Sequence, residues 1–344
     1  NKIKDKRFRK VRTTKRLDIT KHWRWIYKKT RGEFVVFNCD DSIISEETIS
    51  KLKTLRKKAD IFTFNVASFF FPDWKTSNIN FPSEGNIITV PLSQSNQLFN
   101  VNPKNLVEKF SQNFRFPHLF PSCVNLIFNK KFADKLNINK NKLFYSPCPD
   151  VSLSLILLYN VQNSRFFYWD SIGAIGGRSV NSSMNQVIEN KKMLFLSEMK
   201  KKVDFHKVLV DSVSNLLAAA ISQLNYIYPN SKKSIEINYN ELFKKIIDDA
   251  YVDKTFLANV ENKKKNMKLI LNKYKHLINH KNLTIYLNKI SKNYNIQNKQ
   301  FKFAFLTKKI FISLFSMGIR TNFILKKLSK IYCKDSNNLY IKLD

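Results

Sequence analysis

Residues 20–44 read "TKHWRWIYKKTRGEFVVFNCDDSII", and the fold class turns on how this stretch is divided. Trp23, Ile26 and Tyr27 recur at helical spacing, and Arg31-Gly32 supplies a stop signal. The apolar run "EFVVF" (Glu33 to Phe37) then has the length and composition of a buried strand. Past the acids, Ser45 followed by Glu46 and Glu47 has the form of an N-cap with acids in the first turn, which predicts a helix to about Lys58. "DIFTFNV" (Asp60 to Val66) predicts the next strand. This order of helix, strand, helix and strand predicts an α/β fold with a mainly parallel sheet.

Outward from that core the pattern loosens between Ser68 and Pro121, with a short strand "NIITV" (Asn86 to Val90) and a helical stretch around Asn102 to Gln112. "CVNLIF" (Cys123 to Phe128) reads as strand, "NKKFADKLN" as helix, and "VSLSLILLYNV" (Val151 to Val161) as an apolar helix opening at Pro149-Asp150. "SRFFYW" reads as strand. Beyond about Lys191 only helical patterns remain, so the expected division is residues 1–195 as the α/β domain and 196–344 as an all-helical region. No period of repeat length stands out.

The chain of 344 residues carries 60 Lys and Arg against 26 Asp and Glu, a formal charge of +34, which selects anionic partners without specifying a chemistry. The excess of Lys travels with abundant Asn, Ile and Phe, as broad compositional drift would produce, and this lowers its weight. Cys39, Cys123, Cys148 and Cys333 are scattered without C-x-x-C spacing, so the sequence pairs none of them and fits neither a zinc ribbon nor a disulfide scaffold; a reducing compartment is expected. "IFISLFSMGI" (Ile310 to Ile319) is too short for a bilayer span and predicts a buried or membrane-surface helix. The basic start has no apolar core of a secretory signal.

Asp40 and Asp41 lie at the carboxyl end of a predicted strand, where α/β sheets gather ligands. Adjacent carboxylates there can take a ribose hydroxyl and a hard divalent cation, although acids ahead of a helix also simply complement its dipole. Asp150, ahead of an apolar helix, reads as an N-cap, and a cap carboxylate at a sheet rim is also placed to act as a general base. His276 and His280 lack an intervening Glu in a Lys-rich segment and read as a solvated face. "GAIGGRS" (Gly173 to Ser179) lacks dinucleotide-fingerprint spacing and reads as a flexible active-site loop or a tight turn. The basic runs "KDKRFRKVRTTKR" and "NKKKNMK" read as solvated faces.

Four segments in order resemble inverting glycosyltransferases of family 2, of the bacterial polysaccharide type and GT-A fold. "RTTKRLDITKHWRWIYKKTRGEFVVFNCDDSIIS" is similar to the family stretch that runs from an Asn-Trp helix into "GEYV-F-x-x-DDD"; "SFFFPDW" resembles a Tyr-x-Trp-Pro-Asp-Trp segment. "LFPSCVNLIFNKKFADKLN" with "KLFYSPCPDVSLSLILL" resembles the approach to a "PDV" helix, and "DSIGAIGGRSVNSS" resembles a Ser-rich and Gly-rich loop. The resemblance implies Asp150 as catalytic base, Asp40, Asp41, Ser42 and Arg178 at the donor, and Asp73, Trp74, Gly176, Gly177 and Ser179 on the acceptor side. It implies a divalent cation, Mg2+ or Mn2+, at Asp41, with Ser42 standing where the family has a third acid. The family's opening strand and base-gripping half-sheet would lie ahead of residue 1, so the chain is expected to be the C-terminal part of such an enzyme.

The implied partners are a nucleotide-sugar donor, a glycan or lipid-linked acceptor, and an anionic membrane contacted peripherally from the cytoplasmic side. A second class remains: a basic RNA-binding or ribosome-associated protein using Trp23, Trp25 and the Lys runs along a backbone groove. The four ordered segments favour the transferase, and nucleic acid is not the expected partner.

Overall fold

The computed structural model describes residues 7–39, 41–74, 85–91, 94–117, 119–136, 142–144, 148–178, 206–210, 212–229, 234–252, 260–292 and 338–342. In chain order the elements are α1 (Ile19–Lys29), β1 (Phe34–Val36), β2 (Ser42–Ile44), α2 (Glu46–Leu55), β3 (Ile61–Phe70), β4 (Ile87–Pro91), β5 (Leu98–Asn100), α3 (Pro103–Asn113), β6 (Leu126–Asn129), α4 (Lys130–Leu136), α5 (Pro149–Asn160), β7 (Phe166–Arg178), α6 (Val213–Ile227), α7 (Tyr239–Val252), α8 (Val260–Lys273) and β8 (Asn338–Lys342). The chain is an α/β protein whose later part is mostly helical.

Side chains alternate across a strand, and here the alternation is apolar on both faces at the start of the central strands. Ile61 of β3, Leu126 and Phe128 of β6, and Phe166 and Tyr168 of β7 enter one large core. Their neighbours Phe62, Phe64, Ile127 and Trp169 enter a second core on the opposite face, which α2 covers through Leu52 and Leu55. On the first face lies α5, buried on nearly every side from Pro149 to Leu158, as a helix apolar all round must be. The same core continues into Leu217, Ile221 and Leu224 of α6 and Phe243 and Ile246 of α7, so apolar packing is continuous across the expected boundary at residue 195.

The sheet is mixed rather than mainly parallel. β3 pairs with β6 and β4 along one edge and β7 along the other; β1 pairs with β6, β8 with β4, and β2 and β5 with β7. Among the described strands β3–β7 is the one parallel pair. A parallel pair requires a long crossover, and the connection holding α3, α4 and α5 provides one; the other strands are short and arrive running against their neighbours. β8 corrects the expectation of an all-helical region after residue 195, since Asn338–Lys342 add to the sheet edge beside β4. β2 and β5, three residues each, carried too little pattern to be expected.

The glycine-rich stretch is the second half of β7, not the expected flexible loop or tight turn. No described glycine has a positive φ, so conformational freedom is not what glycine supplies here. A Cβ on Gly173 would lie 2.4 Å from the Phe64 ring and 2.6 Å from Thr48 Oγ1, whereas one on Gly176 would lie 3.4 Å from its nearest neighbour, Val66. Gly173 lets β7 pass close beneath the start of α2, where its carbonyl accepts hydrogen bonds from Ser45 N–H (2.9 Å) and Thr48 Oγ1 (2.8 Å). Ser45 caps α2 as expected, accepting from Thr48 N–H.

The β3–β7 register slips around Asn65, leaving Asp170 opposite no β3 residue. Its carboxylate accepts from Asn65 Nδ2 (2.9 Å), from Ser95 N–H and Oγ (2.8 Å each) and from Tyr168 OH (3.1 Å). Burial opposes its ionisation, but these donors outweigh burial and hold the carboxyl below its usual range.

Several expectations fall elsewhere. The stretch Ile310 to Ile319 lies outside the described residues. His276 sits in a 3-10 turn and His280 opens the helix at 280–292, so the two share no single helix face. Within the "NKKKNMK" run Lys263 is buried, its ammonium donating to the Ala250 carbonyl, which corrects a wholly solvated reading. His206, also buried, has Nδ1 2.9 Å from Ser222 Oγ and Nε2 2.9 Å from Asn215 Oδ1.

Two measurements check this packing. Gly173→Ala is expected to cost about 1–3 kcal/mol in urea unfolding, the range for overpacking a tight site, and Gly176→Ala clearly less. Burial holds the His206 imidazole below its ordinary 6.5, so its contribution to stability is complete above that pH. As pH falls through 6.5 the unfolded chain takes up a proton that the folded one refuses, and stability drops by up to about 1.4 kcal/mol per pH unit. His206→Gln is expected to flatten that slope relative to the parent.

Candidate active site

The turn from Phe37 to Ser42 is fixed from both sides. Behind it, the Trp23 ring of α1 stacks on Phe37 with centroids 4.4 Å apart, and the Phe37 carbonyl accepts a hydrogen bond from Cys123 Sγ at 3.0 Å. Ahead of it, β2 pairs with β7 in the register Ser42↔Gly176 and Ile44↔Ala174. Within the turn, Ser42 N–H donates to the Cys39 carbonyl (3.2 Å), Asn38 Nδ2 to the Ser42 carbonyl (2.7 Å), and Ser42 Oγ to Asp41 Oδ1 (3.2 Å).

Gly177 is the point of closest approach. A Cβ there would lie 2.3 Å from the Asp41 carbonyl oxygen, 2.7 Å from Asp41 Cβ and 2.6 Å from the Phe71 ring. The next residue, Arg178, stands opposite Phe70 at the end of β3 and is half-buried. Burial pushes its guanidinium pKa down, and the charge of Asp41 pulls it back up, so the two side chains face each other electrostatically.

Asp150 reaches the same place from the other side of the sheet end. α5 begins at Pro149 with Cys148 as its N-cap, so Asp150 is the second helical residue and not the cap the sequence predicted. Proline's fixed φ suits the first helical position, which moves the start forward by one residue. Burial raises the Asp150 carboxyl above the usual range, while hydrogen bonds from the Val151 and Asp150 backbone N–H groups work the other way. A carboxyl held up by burial and aimed by helix N–H groups has the character of a general base poised nearer neutrality.

Between the two acids sits Cys123, at the start of a 3-10 turn closed by the Ser122–Asn125 capping box. Its thiol is raised by a hydrogen bond to Cys39, then by burial, and then by the charges of Asp150 and Asp41. Cys39, Asp41 and Asp150, from two separate segments, therefore all act on Cys123, which belongs to a third. Cys39, Cys123 and Cys148 are free thiols, in keeping with the absence of paired spacing, but the hydrogen bond between Cys39 and Cys123 was not foreseen, because two thiols 84 positions apart leave no spacing signal. Cys148 is likewise raised, by burial and then by Asp150.

The remaining predicted residues divide. Asp40 and Ser179 lie outside the described residues. Gly176 and Gly177 are strand residues against β2 and Asp41. Asp73 is exposed, but Trp74 is 1% exposed and packs edge-on against Phe70 at 5.0 Å, so its indole is a core anchor rather than a rim contact. The neighbouring Phe71 is the aromatic of that segment which reaches the Asp41–Gly177 contact.

For a hard cation, Asp41 offers the right donor type, and one or two carboxylates suffice when phosphates and water complete the shell. No group of three or more His, Cys, Asp or Glu that could hold a metal alone exists among the described residues. A cation here fits only if shared with a ligand's own phosphates.

Comparison with known proteins adds little to this geometry. No family model matches the chain, and no curated protein matches it. Among solved structures, S. aureus TarS 1-349 in complex with UDP-GlcNAc is similar at a TM-score of 0.35 and 12% identity, covering 80% of this chain and 71% of that one.

The burial pattern predicts thiol reactivity. Cys39 is exposed while Cys123 and Cys148 are held protonated, so iodoacetamide at mildly alkaline pH is expected to label Cys39 more than about tenfold faster than either. Peptide mapping by mass spectrometry reads the order, and denaturant should abolish it.

Proposed function

We propose that this chain carries the diphosphate and acceptor side of an inverting, nucleotide-sugar-dependent glycosyltransferase. The observation that supports it is the convergence of Asp41, Arg178 and Asp150 at one end of the β3–β7 pair, with Asp41 and Asp150 both acting on Cys123. In this reading Asp150 accepts the proton of an acceptor hydroxyl as its oxygen attacks the anomeric carbon. The bond to the nucleoside diphosphate breaks as the new glycosidic bond forms, which inverts the centre.

Arg178 supplies fixed positive charge for the departing diphosphate, and the adjacent Asp41 keeps the guanidinium oriented. Asp41 would hold Mg2+ or Mn2+ jointly with the phosphates, and the cation's chemistry would be to offset charge on the leaving group. The acceptor would be a glycan or a lipid-linked sugar approaching past Gly177 and Phe71.

The decisive comparison is between the parent chain and Asp150→Asn across a panel of nucleoside diphosphate sugars. Loss of about 10²–10⁴ in transfer or donor hydrolysis is expected, with donor affinity within about twofold. Because burial disfavours the ionised carboxylate, the contribution of Asp150 to stability is full below the ordinary Asp range and is lost as pH rises through the raised value. Asp150→Asn is therefore expected to melt no lower than the parent at pH 7, which separates lost chemistry from lost fold. The parent's activity should fall as pH drops through a value above the usual carboxylate range. Asp41→Asn and chelation by EDTA should each weaken donor binding, read by calorimetry. No donor response with either cation, and donor hydrolysis indifferent to Asp150→Asn, would sink the reading.

A further inference from the structure

Residues 7–31 contain eleven Lys and Arg and one acid, Asp18, which is occupied as the N-cap of α1 and lies 3.1 Å from Lys21 Nζ. Helix α1 turns Trp23 and Tyr27 inward onto Phe37, Phe128 and Phe144, and Arg24 Nε donates inward to the Phe144 carbonyl at 2.7 Å. The outward face is thereby left to Lys21, His22, Trp25, Lys28 and Lys29, with Lys29 Nζ 5.8 Å from the centre of the Trp25 ring.

The segment ahead of α1 extends this face. Residues 7–12 are all exposed, and Arg9 Nη2 donates to the Lys29 carbonyl at 2.7 Å, tying the segment to the end of the helix. Within it the cations alternate with apolar side chains left in water: Phe8 is 54% exposed, Val11 46%, and Ile19 at the helix start 41%.

We propose that this face docks on an anionic lipid surface. Two features favour lipid over a nucleic acid backbone. The aliphatic Val11 and Ile19 gain nothing from a phosphate groove, while they and Phe8 each lose contact with water in an acyl boundary. An aromatic beside Lys29 on a lysine-bearing face also matches the interfacial zone, where the ring sits at headgroup depth and the lysine stems bend toward phosphate. No helix among the described residues is long and apolar enough to cross a membrane, so contact through this face is peripheral. The helix that would lie on the lipid is the same one whose inner face stacks on Phe37, which sets the acid turn about one helix diameter, ~10 Å, from the headgroups. The proposal is independent of the transferase reading, because lipid binding is measured without donor or acceptor.

The test is co-sedimentation of the full chain with phosphatidylcholine vesicles, with and without phosphatidylglycerol. Binding is expected only with the anionic lipid, with a blue shift of tryptophan emission that Trp25→Phe diminishes. The triple change Arg12→Glu, Lys28→Glu, Lys29→Glu should lower partitioning about tenfold or more, at the strength typical of a basic residue near an anionic leaflet. An equal charge change on the exposed lysines of the helical part, Lys265→Glu, Lys268→Glu and Lys281→Glu, should lower it far less. Phe8→Ala should weaken binding with charge unchanged. Equal loss from the two triple variants, binding unaffected by Phe8→Ala, or steeply salt-dependent RNA binding without vesicle binding would overturn the proposal.

Discussion

The rest of the structure depends on how closely β7 lies against its surroundings. Over Gly173 and Gly177 no side chain separates this strand from the Phe64 ring on one side and the Asp41 backbone on the other. One contact seats the start of α2 on the sheet, and the other presses the acid turn onto the strand end. Any side chain at Gly177 would have to occupy space held by the Asp41 carbonyl, which is backbone and has nowhere to swing. The site and the sheet are thus fixed by one strand, and the position of Asp41 follows from the register of β2 on β7.

Much of the architecture was legible because its signals are local. The Ser45 cap, the helical spacing of α1 and the apolar runs of β3 and α5 each state their element within a dozen residues. Direction of pairing was not legible, because "DIFTFNV" pairs in parallel with β7 and antiparallel with β6 using the same apolar side chains. The glycine stretch misled for a physical reason: in a single sequence, glycine for freedom and glycine for close approach are spelled alike. Strand β8 failed similarly, since five residues at the sheet edge need no core-forming pattern of their own.

At the site, the acids could be picked out as residue types at the ends of expected elements, but their company could not. Nothing in the spacing of Cys39, Cys123 and Asp150 foretells that they meet, because the meeting is made by the Phe37–Cys123 hydrogen bond and the start of α5. Trp74 shows the converse: an aromatic in a motif-like segment is first of all a large apolar body, and here the core took it. The chain's +34 charge is likewise more informative once placed. Much of what is concentrated near α1 faces outward, while its aromatic half supports the acid turn from behind.

The long crossover between β3 and β7 also sets a timetable. Arg165, at the threshold of β7, clasps Asp60 at the threshold of β3, 105 positions earlier, with Nη2 donating to Oδ1 at 2.9 Å. At ordinary ribosomal speeds those positions take roughly 5–20 s to synthesise. Throughout that interval the apolar edge of β3 that β7 will cover has no mate, and the acid turn has no strand to rest on. The Asp60–Arg165 pair joins the starts of the two strands, so it exists only once both have been made.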